Sequence, residues 1–198
     1  MPEFETVLYE MPAEGVARIT QNRPDARNAQ NNQLTYDLNA AFDHAAADES
    51  VKVIILAGAG PHFSAGHDLR GGSKPLSEYP VAGTWREFNK PGAEGYMAVE
   101  EEIYLGMCRR WRNIPKPTIA EVQGKCIAGG LMLAWVCDLI VASEDAQFQD
   151  PVAQMGVCGV EYFAHPWELG ARKAKEMLFT ADWVSAQDAF RLGMVNHV

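Results

Sequence analysis

The 198-residue sequence has few basic residues and no long apolar run, unlike nucleic-acid-binding and membrane-spanning proteins. Its 17 lysine and arginine residues are outnumbered by 26 aspartate and glutamate residues, which leaves a formal charge of −9 and no long basic run. Proteins that bind nucleic acids neutralise many phosphates with basic residues, so we expect no nucleic-acid partner. The longest uncharged apolar run, residues 126–137, is about half as long as the roughly 20 residues of a bilayer-spanning helix, so we expect no membrane span.

Cysteine is scarce and lies in no metal-binding or redox pattern. The four cysteines, Cys108, Cys126, Cys137 and Cys158, never form a Cys-x-x-Cys pair, and each lies in an apolar stretch typical of a reduced, buried thiol. The N-terminal residues are acidic and then alternate polar with apolar, unlike an export signal. We therefore expect a cytoplasmic location.

What the sequence does contain is enough apolar residues, 47% of the total, for one packed core, so we predict a single domain over residues 1–198. Alternating residues predict a hairpin with strands at 6–10 and 16–20 and a turn at 12–15. A four-residue apolar repeat predicts a helix that ends near Asp48. A strand is predicted at 51–57, and its continuous apolar run 53–57 is typical of a strand covered on both faces in a parallel sheet, so we predict an α/β fold.

Later segments extend this pattern. Residues 71–95 are rich in glycine, proline and serine and predict an irregular, lid-like segment. The apolar repeat from Val99 to Trp111 predicts a helix, with Glu100–Glu102 as favourable first-turn acids. Further elements are predicted as strands at 118–122, 138–142 and 146–148, as a helix start over 126–135, and as helices at 168–179 and after a cap at Ser185.

Two glycine-bearing junctions, residues 58–69 and 124–130, are the strongest candidates for chemistry. In the first, Asp68 is predicted to cap a short helix. The junctions lack the glycine spacing of dinucleotide-binding loops and the Ser or Thr of a Walker loop, and the sequence has no Gly-x-Ser-x-Gly elbow. His62, His67 and Asp68 match no zinc-ligand template, so we expect no metal site.

Both junctions resemble motifs of the crotonase (enoyl-CoA hydratase/isomerase) superfamily. Ala65-Gly66-His67-Asp68 is similar to the family's A-G-x-D motif, and residues 124–130 to its glycine-pair segment. Residues 23–29 resemble the family's N-terminal motif. Further similarities follow in family order at residues 116–120, 137–142, 146–148 and 185–195, so the resemblance extends over nearly the whole chain.

The resemblance implies a crotonase-like ββα spiral core that binds an acyl-CoA substrate and needs no cofactor. By motif position, the backbone N–H groups of His67 and Gly130 form an oxyanion hole for the thioester oxygen. Gly130 would then lie at a helix N-terminus, where unpaired donors favour developing enolate charge. The positions implied to bind acyl-CoA are Arg23, Ala26, Arg27, Ala65, Gly66, His67, Asp68, Leu69, Gly129, Gly130 and Leu133.

The sequence departs from the family's hydratases at the two glutamates that position water. Leu133 and Val152 stand there, and neither side chain can move a proton. Glu161 is predicted as the replacement acid/base group, with Tyr162 and His165 as weaker candidates and a solvated loop carboxylate as the alternative. One carboxylate suffices for double-bond isomerisation, so isomerisation or a related proton transfer on the thioester enolate is the predicted activity. A hydratase with a rearranged site and a non-catalytic acyl-CoA-binding protein are the alternatives.

Family members usually continue into a C-terminal helical segment that covers the active site and helps to build trimers. This sequence ends at Val198, so we expect that segment to be missing or truncated. A homotrimer, or a dimer of trimers, is expected only where the segment is present.

Overall fold

The computed structural model describes residues 2–71, 74–84, 88, 90–157 and 159–198. The strands are β1 (Val7–Ala13), β2 (Val16–Gln21), β3 (Val53–Gly58), β4 (Thr118–Val122), β5 (Lys125–Ile127), β6 (Leu139–Ala142), β7 (Gln147–Gln149) and β8 (Val184–Ser185). The helices are α1 (Asn32–Ala47), α2 (Ala93–Glu100), α3 (Met107–Arg112), α4 (Gly129–Trp135), α5 (His165–Leu169), α6 (Ala171–Thr180) and α7 (Ala186–Arg191). Short 3-10 turns occur at Pro24–Ala26, Leu76–Glu78 and Val152–Met155.

These elements build two sheets, which confirms the α/β prediction. A five-stranded sheet has the order β1-β2-β3-β4-β6, in which β1 is antiparallel and the others are parallel. A three-stranded sheet has the order β5-β7-β8. One buried apolar cluster takes side chains from both sheets and from α1, α3 and α4. Within the described part of the chain, no helix is long and apolar enough to cross a bilayer.

The N-terminal hairpin forms as predicted but turns more tightly. Residues 14–15 alone connect β1 to β2, and Gly15 adopts a φ of +75° there. The predicted turn was too long because Pro12 lies inside β1. Proline is tolerated in this edge strand, where the register shifts between Glu10 and Ala13.

The predicted helix and strand that follow the hairpin are also confirmed. The apolar face of α1 is buried, and Asn31 caps the helix by accepting a hydrogen bond from the N–H of Leu34 at 2.9 Å. In β3, Ile54 and Leu56 are fully buried between β2 and β4. Local apolar spacing was enough to place both elements.

Four local predictions were wrong. The helix start predicted over 126–135 is too early, because Cys126 and Ile127 lie in β5 and α4 begins only at Gly129. Among the described residues no helix begins at Asp68, whose carboxylate instead accepts the N–H of Arg70 at 3.2 Å in a turn. The helix predicted at 168–179 is two helices, because Gly170 adopts a φ of +73° between α5 and α6. The helix after the irregular segment begins at Ala93, so Glu100–Glu102 are not in its first turn.

That helix is continuous through α2, a π-helical segment at Glu101–Gly106 and α3. Its buried carboxylate, Glu102, accepts hydrogen bonds from the Tyr36 hydroxyl at 2.9 Å and from three successive backbone N–H groups of residues 82–84 at 2.6–2.8 Å. Glu102 therefore ties the middle of the irregular segment to the helix and to α1. Parts of the predicted lid-like segment, residues 72–73, 85–87 and 89, lie outside the described residues.

Three of the cysteines, Cys108, Cys126 and Cys137, are buried free thiols, whereas Cys158 lies outside the described residues. Burial raises the pKa of each of the three thiols. A raised pKa keeps them protonated and unreactive at neutral pH.

Candidate active site

The two glycine-bearing junctions meet side by side. Ser64 pairs with Cys126 in an isolated parallel bridge, through the bonds Ser64 N–H to the Lys125 carbonyl and Ile127 N–H to the Ser64 carbonyl. Gly66, at φ +87°, lies against the second junction so closely that a Cβ would be 2.8 Å from the Ile127 carbonyl oxygen. Only glycine allows this approach.

Gln30 holds both junctions in register. Its backbone pairs with the first junction, where its N–H donates to the Gly66 carbonyl and its carbonyl accepts from Asp68 N–H. Its side chain donates to the Gly129 carbonyl at 2.8 Å. The backbone bridge uses the groups on either side of His67 and leaves the N–H of His67 without an acceptor among the described residues.

The start of α4 supplies further free donors. The N–H groups of Gly129 and Gly130 also lack an acceptor in the part of the chain that the structure describes, as is usual in the first turn of a helix. Ala128 precedes them with a φ of +48°, a conformation that alanine rarely adopts. A Cβ on Gly129 would lie 2.5 Å from Cδ2 of His67, whereas one on Gly130 would lie 2.7 Å from the Ser64 carbonyl.

A cavity of about 430 Å³ is lined by His67 and by Ala128, the residue before Gly129, whereas Gly129 and Gly130 are not among its lining residues. Its wall is mainly apolar and comes from segments far apart in the sequence. The lining residues are Ala65, His67, Asp68, Leu69, Tyr96, Glu100, Tyr104, Ile127, Ala128, Pro151, Val152, Met155, Val157, Gly159, Val160 and Glu161. The structure therefore brings His67 and Glu161, both predicted from sequence, into one cavity.

The imidazole of His67 faces the carboxylate of Glu161. Nε2 of His67 lies 3.7 Å from Oε2 of Glu161, and their side chains are 18% and 24% exposed. The imidazole stacks on Tyr104 with ring centroids 3.6 Å apart and planes 10° from parallel. The stack and the close contact with Gly129 fix the orientation of the imidazole.

Burial moves the pKa values of these two groups in opposite directions. Burial, with the negative charges of Glu100 and Asp150 nearby, raises the pKa of Glu161 to about 7. Burial lowers the pKa of His67 to about 4, although the charge of Asp150 opposes the shift. Desolvation disfavours the charged form of each group, so both are mainly neutral between these values.

A second cavity, of about 340 Å³, shares four lining residues, Ala65, His67, Asp68 and Leu69, with the first. Several predicted acyl-CoA positions line it: Ala26, Arg27, Ala65, His67, Asp68 and Leu69. Arg23 is engaged elsewhere, because its guanidinium pairs with Asp68 at 3.0 Å and donates to the Ala29 carbonyl. Hydrogen bonds from Arg70, together with Arg23, lower the pKa of Asp68 to about 2.

Comparison with known proteins identifies the family of this chain. The sequence profile described as "Enoyl-CoA hydratase/isomerase" matches residues 12–198. The chain belongs to the enoyl-CoA hydratase/isomerase family. It is 47% identical over 203 residues to EchA13 of Mycobacterium tuberculosis, which carries the provisional name of an enoyl-CoA hydratase, and this match covers 99% of the chain but 64% of that relative. The chain thus spans less than two thirds of the length of this relative.

Solved structures confirm the crotonase-type fold. A Mycobacterium smegmatis protein, also provisionally named an enoyl-CoA hydratase, is 52% identical, with a TM-score of 0.84 over 97% of this chain and 71% of that one. An enoyl-CoA hydratase/isomerase from Xanthobacter autotrophicus Py2 is 37% identical, with a TM-score of 0.83 over 99% and 67% of the two chains.

In this member of the enoyl-CoA hydratase/isomerase family, some predicted site residues lie apart from the cavity. Leu133 is 1% exposed and packs in the core, while Val152 does line the cavity. His165 is buried against Trp135, and its Nε2 lies 2.7 Å from the buried carboxylate of Asp150. Tyr162 is half-buried and packs against the core.

The sequence analysis missed Tyr104 and gave Glu100 a different role. These two residues are four positions apart, which places them on the same helix face and toward the same cavity. Both residues lie inside the helix predicted from Val99 to Trp111, so their spacing was a usable signal, but Glu100 was interpreted as a first-turn acid. Among the described residues, no group of three His, Cys, Asp or Glu side chains could hold a metal ion.

Proposed function

We propose that the chain binds an acyl-CoA thioester, stabilises its enolate with the N–H groups of His67 and Gly130, and moves a proton with Glu161 to shift a double bond. The observation that carries this proposal is a cavity lined by Glu161 and by His67, whose N–H is unpaired among the described residues. The unpaired N–H groups of Gly129 and Gly130 follow directly after Ala128, which also lines the cavity. A helix N-terminus and fixed N–H groups favour charge that develops on an oxygen.

One carboxylate is enough for this reaction. Ionised Glu161 removes a proton from Cα of a 3-enoyl thioester, and the electron pair moves onto the thioester oxygen as an enolate. The protonated carboxyl then returns the proton to Cγ, which leaves a 2-enoyl thioester. Each oxyanion donor of this kind typically lowers the barrier by about 3–4 kcal/mol.

The second donor has an alternative one residue away. Gly130 is the position that the family motif implies, but the N–H of Gly129 is also unpaired, and Gly129 lies against His67. The CoA moiety would occupy the second cavity, where Arg27 supplies a cation. Arg23 would act by holding Asp68 rather than by meeting CoA directly.

Two further proposals concern the intact protein. We propose a cytoplasmic enzyme that acts on acyl-CoA without a separate cofactor, and assembly as a homotrimer or a dimer of trimers for a chain of the relatives' length. Hydration by a rearranged acid/base site is a second candidate reaction. It is favoured by the hydratase names of the relatives.

The test is exchange of the α-proton in deuterated water, with 2-enoyl-, 3-enoyl- and dienoyl-CoA thioesters as substrates and mass spectrometry as the readout. We expect exchange with at least one thioester, and a loss of roughly 10²- to 10⁴-fold in Glu161→Gln. Glu49→Gln, which changes an exposed glutamate, is the matched control. Binding without exchange would show a non-catalytic acyl-CoA-binding protein. Undiminished exchange in Glu161→Gln would exclude this base.

A further inference from the structure

The proposed isomerisation uses the backbone of His67 and leaves its side chain without a role. Nε2 of His67 and Oε2 of Glu161 are both buried, and neither has a hydrogen-bond partner among the described residues. Buried polar atoms are nearly always paired, because an unpaired one costs about 1–3 kcal/mol. Two such atoms that face each other across 3.7 Å at the wall of a cavity point to a bound polar group.

We propose that the imidazole of His67 is a second acid/base group, which together with Glu161 holds one water molecule and adds it to the double bond of a 2-enoyl thioester. This inference rests on the proposed function, because the enolate formed in the addition needs the same backbone donors. It replaces the missing pair of glutamates with a histidine and a glutamate from other positions.

The separation of the two atoms suits a shared water. A water oxygen about 2.8 Å from each atom, a usual hydrogen-bond length, subtends an angle of about 80° between them. That angle leaves room for two separate hydrogen bonds. The stack on Tyr104 and the contact with Gly129 keep Nε2 of His67 directed at this point.

The addition balances with these two groups alone. Neutral His67, in the tautomer with its proton on Nδ1, takes a proton from the water at Nε2 while the water oxygen bonds to Cβ. The electron pair of the double bond moves onto the thioester oxygen as an enolate. Protonated Glu161 gives its proton to Cα as the thioester carbonyl forms again. The imidazolium then returns its proton to the Glu161 carboxylate.

The residues around the pair favour neutral His67 and protonated Glu161, the protonation states from which water addition begins. Glu100 and Tyr104, from the neighbouring helix, and Asp150, from the segment before the 3-10 turn, face the pair. Burial and these acids raise the pKa of Glu161 to about 7, and burial lowers the pKa of His67 to about 4. Water addition should therefore be fastest between these values and fall above pH 7. Isomerisation needs ionised Glu161 and should rise instead.

The test follows incorporation of heavy oxygen from labelled water into the 3-hydroxyacyl product by mass spectrometry. His67→Ala keeps the backbone N–H but removes the imidazole. We expect it to lower water addition by 100-fold or more and α-proton exchange by less than tenfold. His67→Gln, which keeps a polar side chain that cannot take a proton, should lose water addition likewise. His197→Ala changes an exposed histidine and is the matched control.

Three results would overturn the proposal. One is water addition in both His67 variants within tenfold of the unchanged chain. Another is α-proton exchange by the unchanged chain without water addition, which leaves the proposed isomerase intact. The third is the absence of both reactions, which overturns the proposed function as well. If His67→Ala does not fold, as judged by thermal unfolding, His67→Gln carries the test.

Discussion

At the residue scale, the buried carboxyl of Glu161 links the site to stability. Its pKa is near 4.5 when exposed and about 7 in the folded chain, so folding favours the neutral form. The resulting cost is absent below about pH 4.5, grows as the pH rises to about 7, and is complete above it. Glu161→Gln should therefore be more stable than the unchanged chain at pH 8, by up to about 3 kcal/mol, with no such gain at pH 4. Urea unfolding at both pH values measures this, with Glu49→Gln as the control. A pH-independent difference would contradict the assigned burial.

Gly129 lies so close to the imidazole of His67 that a side chain at this position would displace the ring. A Cβ there would lie 2.5 Å from Cδ2 and 2.6 Å from Nε2 of His67, and the imidazole cannot retreat without leaving Tyr104. We expect Gly129→Ala to lose about 1–3 kcal/mol of stability and to displace the imidazole. The readouts are chemical unfolding and the pKa of His67 by NMR, which should move toward its ordinary value. An unchanged His67 pKa would show that the ring does not depend on this glycine.

At the element scale, Glu102 is the residue that joins the irregular segment to the site helix. It accepts four hydrogen bonds and is fully buried, so its removal leaves several buried donors unpaired. We expect Glu102→Ala to cost about 3–5 kcal/mol of unfolding free energy. Glu49→Gln should cost less than 0.5 kcal/mol, as exposed substitutions roughly do. Equilibrium unfolding in urea measures both. A loss below about 1 kcal/mol for Glu102→Ala would show that the four hydrogen bonds to Glu102 do not hold the irregular segment to the helix.

Local sequence patterns predicted some of these elements correctly and missed others. The buried face of α1 and the run of β3 follow from apolar spacing, and the cap at Ser185 accepts the N–H of Asp188 at 3.1 Å as predicted. The break at Gly170 was missed because the apolar period continues across it. Glu102 was misread as a dipole partner because a glutamate repeat looks solvated, and only tertiary contacts show its burial.

At the scale of the whole molecule, the sequence placed the two junctions together only through family resemblance. The family and the α/β fold are confirmed by comparison. The contact of His67 with Tyr104 and Glu161 could not be predicted, because it joins three segments that no local period relates. The cavity wall likewise depends on how β5, α4 and the helix containing Tyr104 pack.

At this scale, we expect the two junctions to converge on a thioester oxygen. The most direct measurement is a crystal structure of the chain with a saturated, unreactive acyl-CoA. We expect the thioester oxygen about 2.7–3.1 Å from the backbone nitrogens of His67 and Gly130, with Cα facing the carboxyl of Glu161. A thioester oxygen that contacts neither nitrogen, with the acyl group outside this cavity, would contradict the claim.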